Sequence, residues 1–453
     1  MKLTKKNKRG LPPALMIVLS FVVVIMAGTF ILTLPISSAD GRLTHPMITF
    51  FTSVSATCVT GLTLVDTGSH FSLFGQVIIL LMIQIGGVGL VTFASFLNFI
   101  LHRKLELRTI KIATEQTGGS FSDIKSIVRR IVSIVIITEF AGMVLLSFYF
   151  VPQYGIIGLY YSLFLAVSSF CNAGFDITGM YDPAGLSLST YADNPYVLGV
   201  ISVLIIIGGF GYFVWTDIIE YRKKRKLTFM SKIVILSEII LLIGGGLFYI
   251  FTEWNNPATL GAEPPHQKIL DSFFLSTTMR TAGFTIMPLS GLTNESKMLS
   301  TLFMFIGCAS GSTGGGIKTN TFAIIIMTVI CVIQNKPDTV MFGRRIEKES
   351  VYKAFTIMIL SAAILAIASL ILLNTNDSLQ FSALDCAFEA ASAFGTAGIP
   401  TGITALLSPA SQITLCLVML IGRVGPVTFA GSLAVRRLGG ANEVYPEGKL
   451  MVG

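Results

Sequence analysis

Charged residues are scarce in this chain: they make up 12% of its 453 residues, whereas soluble domains average about 25%. Hydrophobic residues reach 53% of the chain, and the mean hydropathy is +0.76. This balance excludes an ordinary soluble domain. It predicts a protein that lies largely within a membrane.

Histidine and cysteine are also few, with 4 histidines and 6 cysteines. The histidines are scattered, and the cysteines show neither metal-site spacing nor a disulfide framework. We interpret the cysteines as small buried hydrophobic residues. Because a carboxylate pair and a nucleophile beside a base are also missing, the sequence does not predict an enzyme, and it predicts no cofactor in this chain.

Long apolar runs are abundant, and several reach the roughly 20 residues that span a bilayer. We read eight, at about 13–35, 73–101, 128–150, 196–219, 230–252, 298–333, 352–373 and 411–435. Shorter runs, typical of re-entrant segments, lie at 46–57, 160–170, 268–279 and 382–394. The prediction is an all-α polytopic membrane protein with eight transmembrane helices. Four pseudo-repeats of span, re-entrant pore helix, filter loop and span would surround one pore.

The predicted divisions are pore repeats at 11–101, 102–221, 222–335 and 336–437, followed by a cytoplasmic tail at 438–453. The inner helix of the third repeat is expected to be interrupted. The N-terminus is basic and then apolar, as in a signal peptide, but its apolar run is too long for one and fills the first span of the first repeat.

Four segments repeat one pattern around a glycine. A phenylalanine stands ten residues before each glycine and a hydroxyl six residues before it, at Phe51/Ser55, Phe164/Ser168, Phe273/Thr277 and Phe388/Ser392. Glycine permits backbone that is neither helix nor strand, and rings of backbone carbonyls can replace the hydration shell of K+. The predicted K+ filter is Val59, Thr60, Gly61, Asn172, Ala173, Gly174, Thr281, Ala282, Gly283, Thr396, Ala397 and Gly398.

The re-entrant helices should point their C-terminal ends, which carry partial negative charge, at this filter. Only Val59–Gly61 resembles the beginning of the K+ channel filter sequence Thr-Val-Gly-Tyr-Gly. We therefore expect a shorter stack of carbonyl rings, and good but less complete discrimination of K+ from Na+.

The inner spans share an Ile-Gly pair at Ile85, Ile207, Ile306 and Ile421. Small residues allow helices to approach closely, but they do not explain Arg423, which stands where the other spans have Gly87, Gly209 and Cys308. A charge at this depth faces protein or water. Two interpretations are open: a pore barrier that faces the ion path, or a structural ion pair with a residue such as Glu139.

The third inner span contains a glycine-rich break at Ser310, Gly311, Ser312, Thr313, Gly314, Gly315, Gly316, Ile317 and Lys318. Three consecutive glycines do not hold a stable helix. A phosphate-binding loop requires lysine directly after the glycine, but Ile317 separates Gly316 from Lys318. We predict a flexible gate loop beneath the filter.

Basic residues give the orientation. The segments 1–10, 102–130, 222–232, 335–353 and 436–453 hold 26 of the 32 Lys and Arg residues, which predicts that these segments and both termini are cytoplasmic. The net charge of +8 therefore requires no nucleic acid. Acidic residues on the outside either concentrate cations at the pore mouth or are ordinary solvated charges.

Taken together, the motifs resemble the pore-forming membrane subunit of bacterial Ktr-type potassium uptake systems, in the Trk/Ktr/HKT superfamily. The four loops, the Gly311–Lys318 break, Ile421–Pro426 and the tail from Pro446 to Gly453 carry this resemblance over nearly the whole chain. It implies a homodimer with one pore per protomer and a cytoplasmic ring of nucleotide-binding regulatory subunits. It also implies K+ as the transported ion, Na+ as a candidate coupling or activating ion, and a gate near Arg423.

A secondary carrier for another cation or small solute is the alternative, because carriers also contain broken helices. Carriers repeat in two halves, however, and this chain repeats in four. The sequence leaves open whether the protein is a channel or a Na+-coupled symporter.

Overall fold

The computed structural model describes residues 12–89, 124–180, 187–376 and 381–433, and these are mostly helical. Part of the predicted segment 102–130, the tail 438–453 and the extreme N-terminus lie outside them. The helices are α1 (Pro13–Thr33), α2 (Pro46–Cys58), α3 (Thr67–His70), α4 (Leu73–Val88), α5 (Ile124–Tyr154), α6 (Ile156–Cys171), α7 (Pro195–Gly209), α8 (Tyr212–Lys224), α9 (Phe229–Glu253), α10 (Pro265–Thr278), α11 (Asn294–Phe305), α12 (Thr319–Ile333), α13 (Lys348–Thr375), α14 (Ala383–Gly395), α15 (Pro409–Val424) and α16 (Pro426–Leu433).

Four helices, α1, α5, α9 and α13, are long and apolar enough to cross a membrane unbroken. Each is followed by a short helix: α2, α6, α10 and α14. The bounds of the short helices lie close to the predicted re-entrant runs. We use the word unit for each long helix together with its short helix and the helices that follow, up to the next long helix.

The inner spans differ from the continuous helices that hydropathy predicted. Helices α7 and α8 meet at 95°, and α15 and α16 meet at 104°. In the predicted span 73–101, helix α4 ends at Val88, and residues 90–101 lie outside the described part of the chain. The glycines Gly89, Gly211 and Gly425 stand at these helix ends with φ of 89°, 83° and 94°. Positive φ is open to glycine and disfavoured for other residues, which explains the bends.

The third inner span is interrupted by a longer irregular segment than predicted. Helix α11 ends at Phe305 and α12 begins at Thr319, so regular helix is lost before Ser310. Two strands elsewhere, β1 (Val340–Met341) and β2 (Arg344–Arg345), form a small antiparallel hairpin.

The short helices form a closed circle of contacts. Each packs against an inner helix of the preceding unit: α6 on α4, α10 on α7, α14 on α11, and α2 on α15. In three of the units, the glycine of the Ile-Gly pair lets the inner helix pack closely against the short helix of the same unit. A Cβ at Gly86, Gly208 or Gly422 would collide with the carbonyl oxygen of Thr57, Phe170 or Phe394, near the end of a short helix.

Local sequence fixes where the helices begin. Proline stands in the first turn of α1, α2, α7, α10 and α15, where its missing N–H costs nothing. Thr228, Ser382 and Ser408 cap α9, α14 and α15 by accepting hydrogen bonds from backbone N–H groups.

Candidate functional site

The four glycine-centred segments meet at the middle of the fold. We call residues 59–61, 172–174, 281–283 and 396–398 the four triplets. Their first residues, Val59, Asn172, Thr281 and Thr396, have φ of 58°, 58°, 65° and 52°, and their glycines also have positive φ. Positive φ is unfavourable for valine and threonine. Such backbone is neither helix nor strand, so its carbonyl groups are not committed to a ladder.

The triplets form a closed ring. A Cβ at Gly61 would lie 2.5 Å from the carbonyl oxygen of Ala173, one at Gly174 would lie 2.9 Å from that of Ala282, and one at Gly283 would lie 3.0 Å from that of Ala397. A Cβ at Gly398 would overlap the carbonyl oxygen of Thr60. The glycine of each triplet therefore packs against the middle carbonyl of the next, and the fourth closes on the first.

Three of the triplets are held by the same type of hydrogen bond to the end of the preceding short helix. The N–H groups of Thr60, Ala173 and Ala397 donate to the carbonyls of Ser55, Ser168 and Ser392 at 2.8 Å each. The side chains of these serines also bond to the backbone: Ser55 accepts from the Gly61 N–H at 3.0 Å and Ser392 from the Ile399 N–H at 2.9 Å. Ser168 donates to the Phe175 carbonyl at 2.6 Å.

The third triplet departs from this pattern. Helix α10 ends at Thr278, so Ala282 N–H donates to Thr278 instead, at 3.0 Å. The predicted hydroxyl, Thr277, bonds within its own helix, and Thr278 takes its place by donating to the Phe284 carbonyl at 2.7 Å. The chain between helix and triplet carries Arg280, which forms a buried ion pair with Glu238 of α9.

Sequence reasoning missed Arg280 and Glu238. The sequence does contain a signal for the arginine, because it stands three residues before the glycine, where the other segments have Cys58, Cys171 and Gly395. Nothing in the local pattern identifies Glu238, which lies 42 residues earlier in the chain.

Residues 306–318, which we call the intramembrane loop, fold back on themselves against the ring. Gly307 N–H donates to the Ile317 carbonyl at 2.8 Å, and Ile317 N–H to that of Phe305 at 3.2 Å. The glycines at its tip touch the first residues of two triplets. Gly315 N–H donates to Thr396 Oγ1 at 2.9 Å, and a Cβ at Gly314 would collide with Thr281 Oγ1. Residues 313–317 are buried.

Arg423 binds this loop. Its guanidinium donates to the carbonyl oxygens of Thr313 and Gly86. Within the described residues Arg423 has no acidic partner in an ion pair. Glu139, the partner considered from sequence, accepts instead from Gln84 at 3.1 Å and from the Cys171 thiol.

Lys318, the last residue of the loop, closes the loop on itself, because its ammonium donates to the Gly314 carbonyl at 2.6 Å. Lys318 and Arg423 both line a cavity of about 710 Å³, and no residue of the four triplets lines it. Its wall is completed by other loop residues and by residues of α1, α4, α5, α8, α9, α12, α13, α15 and α16. Two positively charged side chains therefore face this cavity.

Two acids of the segments predicted to face the outside, Glu253 and Asp271, are buried and hydrogen-bonded. Glu253 is fully buried, and it accepts hydrogen bonds from Thr293, Asn256 and Thr259. Asp271 is buried and accepts from Gln267 at 2.8 Å. Asp182 and Asp377 lie outside the described residues. In the part of the chain that the structure covers, no group of three potential metal ligands occurs, and the six cysteines are buried and unpaired.

Comparison with known proteins decides the family. The family model described as "TrkH: Cation transport protein" matches residues 5–436. The chain belongs to this family. It is 35% identical to the Ktr system potassium uptake protein B of Vibrio alginolyticus, over 99% of this chain and 96% of that protein. It is 34% identical to the potassium/sodium uptake protein NtpJ of Enterococcus hirae, over 99% of both chains.

The fold has a solved counterpart. The crystal structure of the potassium transporter TrkH from Vibrio parahaemolyticus matches with a TM-score of 0.72 at 18% identity, covering 96% of this chain and 87% of that one. The resemblance to Ktr-type potassium uptake proteins is thereby confirmed. The protein is a membrane-spanning member of a cation transport family, and its relatives are transporters rather than enzymes.

Proposed function

We propose that this protein carries K+ into the cell through the ring of four triplets, which acts as a selectivity filter. The closed ring supports this most directly, because each glycine lies against the middle carbonyl of the next triplet. Carbonyl rings replace the water lost by K+. The short helices add to the effect, since α2, α6 and α14 end three residues before their glycines and direct partial negative charge at the ring.

The intramembrane loop is proposed to be the gate, with Arg423 as the barrier below the filter. Two triplets and Arg423 contact this loop, and Lys318 at its end bonds back to Gly314 within it. A loop that closes the path must leave the ring before an ion passes. The pseudo-repeat boundaries and the eight-span arrangement belong to the same proposal.

The names of two relatives suggest the ions and partners. One is a Ktr system potassium uptake protein and the other a potassium/sodium uptake protein, so we propose K+ as the transported ion and Na+ as a candidate coupling or activating ion. We further propose a homodimer that binds a ring of cytoplasmic nucleotide-binding regulatory subunits. The protein would lie in the cell membrane, with both of its termini in the cytoplasm.

The membrane potential is proposed as the driving force, since it supplies roughly 2.3 kcal/mol per monovalent cation at 100 mV. The test uses purified protein in liposomes, with K+ uptake followed at an imposed potential and after its collapse. Net accumulation should stop at zero potential. Uphill uptake that continues there without a Na+ gradient would contradict the proposal, and adding Na+ separates a channel from a Na+-coupled symporter.

The filter is tested by Gly61→Ser and Gly283→Ser, which place a Cβ against the neighbouring carbonyl. We expect weaker K+ uptake or more Na+ uptake in both. Gly244→Ser is the control, because a Cβ at that position on α9 would meet no other element among the described residues. Wild-type K+ and Na+ kinetics in both filter variants would exclude a single filter.

A further inference from the structure

Arg280 places a full positive charge beside the third triplet. It directly precedes Thr281, it is buried, and the residues at its position in the other three segments are uncharged. Unlike charges attract and like charges repel strongly where the dielectric constant is low. An uncompensated guanidinium here would oppose the entry of K+ into the ring.

Glu238 provides the compensation. Its carboxylate accepts from the Arg280 guanidinium, and the side chains of Glu238 and Arg280 are 5% and 4% exposed. The contact joins one nitrogen to one oxygen. Among the described residues, Arg280 Nε and Glu238 Oε1 have no hydrogen-bond partner. Stability alone does not require such a pair, because apolar residues of similar size usually serve a buried position as well or better.

The pair also adds to a backbone restraint that differs from that of the other triplets. Those triplets are positioned by the helix cap at 2.8 Å, whereas the Ala282 N–H donates to the Thr278 carbonyl at 3.0 Å because α10 ends earlier. The third triplet is further connected through Arg280 to α9, and through Thr281 to the intramembrane loop, where Thr281 Oγ1 lies 3.0 Å from Cys308 Sγ. The Arg280 carbonyl accepts from the same thiol at 3.5 Å.

We propose that Glu238 is a positioning residue for ion selectivity. Its carboxylate neutralises Arg280 and, by holding it, fixes the backbone of residues 281–283 at the distance that favours K+ over Na+. This inference rests on the proposed filter function. Glu238 does not itself touch the ion.

The test replaces the pair by apolar residues, in the double variant Glu238→Met with Arg280→Met. Uptake of K+ and Na+ is measured in liposomes and normalised to folded protein. The variant should fold, but its K+/Na+ uptake ratio should fall by about fivefold, with a higher KM for K+ and a nearly unchanged maximal rate. The control is Glu349→Met with Lys353→Met, an exposed pair on α13, which should leave the ratio unchanged.

Two single variants keep the test decisive if size-exclusion chromatography shows that the double variant does not fold. Glu238→Asp keeps the charge but withdraws it by one methylene, so it should lower the K+/Na+ uptake ratio less than the double variant does. Glu238→Gln should raise the KM for K+, because Arg280 is then uncompensated. Wild-type KM and ratio in Glu238→Asp and Glu238→Gln would overturn the proposal, as would a wild-type ratio in the folded double variant.

Gly283→Ser separates this inference from the function on which it rests. A changed ratio in Gly283→Ser together with an unchanged ratio in the pair variants would reject the role of Glu238 alone. Wild-type uptake of both K+ and Na+ in Gly283→Ser would reject the filter, and the role of Glu238 with it.

Discussion

The ring of triplets and the intramembrane loop are both irregular backbone at membrane depth, but they are held in different ways. The ring is made of backbone packed on backbone, with glycine against carbonyl at four places. The loop is held by a mixture of backbone and side-chain bonds: the N–H groups of Ala309 and Thr313 donate to the carbonyls of Gly209 and Gly208, and the side chains of Arg423 and Thr396 bind the loop from other elements. Irregular backbone is tolerated in a membrane only where protein or a cavity surrounds it. Here that condition is met by backbone packing in the ring and by backbone and side-chain contacts around the loop.

The largest effect should come from breaking the ring. Gly398→Ala adds a Cβ that overlaps the Thr60 carbonyl, at a residue whose φ is +74°. We expect K+ uptake to fall at least about thirtyfold, because ~2 kcal/mol of strain at the conducting site is enough for that factor. Uptake into liposomes measures it. Gly244→Ala on the exposed side of α9 should behave as wild type, and an active Gly398→Ala protein would argue against a tightly closed ring.

The next largest effect should come from releasing the loop at Arg423. Arg423→Ala removes both the bonds to Thr313 and Gly86 and the positive charge. We expect K+ flux to rise about tenfold, since ~1.4 kcal/mol of Coulomb repulsion corresponds to that factor.

Arg423→Lys separates the two contributions, because lysine keeps the charge but loses the two-pronged geometry of arginine. A barrier that is mainly electrostatic predicts near wild-type flux in the lysine variant. A structural role predicts that Arg423→Ala misfolds or loses activity, which thermal unfolding in detergent would reveal.

A smaller increase should follow from loosening the contact between ring and loop. Thr396→Val removes the hydroxyl that accepts from Gly315 N–H at 2.9 Å while preserving shape. The unpaired N–H weakens the closed loop by ~1 kcal/mol, so K+ flux should increase about fivefold. Thr414→Val, at an exposed hydroxyl on α15, is the matched control. Reduced flux with normal folding would show that the contact supports conduction rather than closure.

The smallest effect is expected at Lys318. Lys318→Met keeps the aliphatic stem but loses the bond to the Gly314 carbonyl at 2.6 Å. We expect flux to increase about twofold, because one solvent-accessible hydrogen bond contributes only ~0.5 kcal/mol and the loop keeps its other contacts. Lys353→Met on the exposed face of α13 is the comparison. A larger increase than in Arg423→Ala would make Lys318 the main restraint on the loop.

Sequence reasoning was most accurate where a local pattern carries the physical cause. An apolar run that ends at a glycine gave the short helices to within a few residues, from Pro46–Cys58 to Ala383–Gly395. The bends of the inner helices were missed, because hydropathy counts apolar residues and does not register that Gly211 and Gly425 adopt positive φ. The predicted hydroxyl Thr277 was wrong for a similar reason: spacing from the glycine does not show that its neighbour Thr278 is the one that donates to the Phe284 carbonyl.

By itself, the sequence determined that the chain crosses a membrane, that four glycine-centred segments recur and that Arg423 is exceptional, because composition, spacing and an isolated charge are visible along one dimension. Only the tertiary structure decided which carbonyl each glycine meets, that Arg423 binds Thr313 rather than Glu139, and that Glu238 pairs with Arg280. Those partners lie tens to hundreds of residues apart, and only packing brings them together.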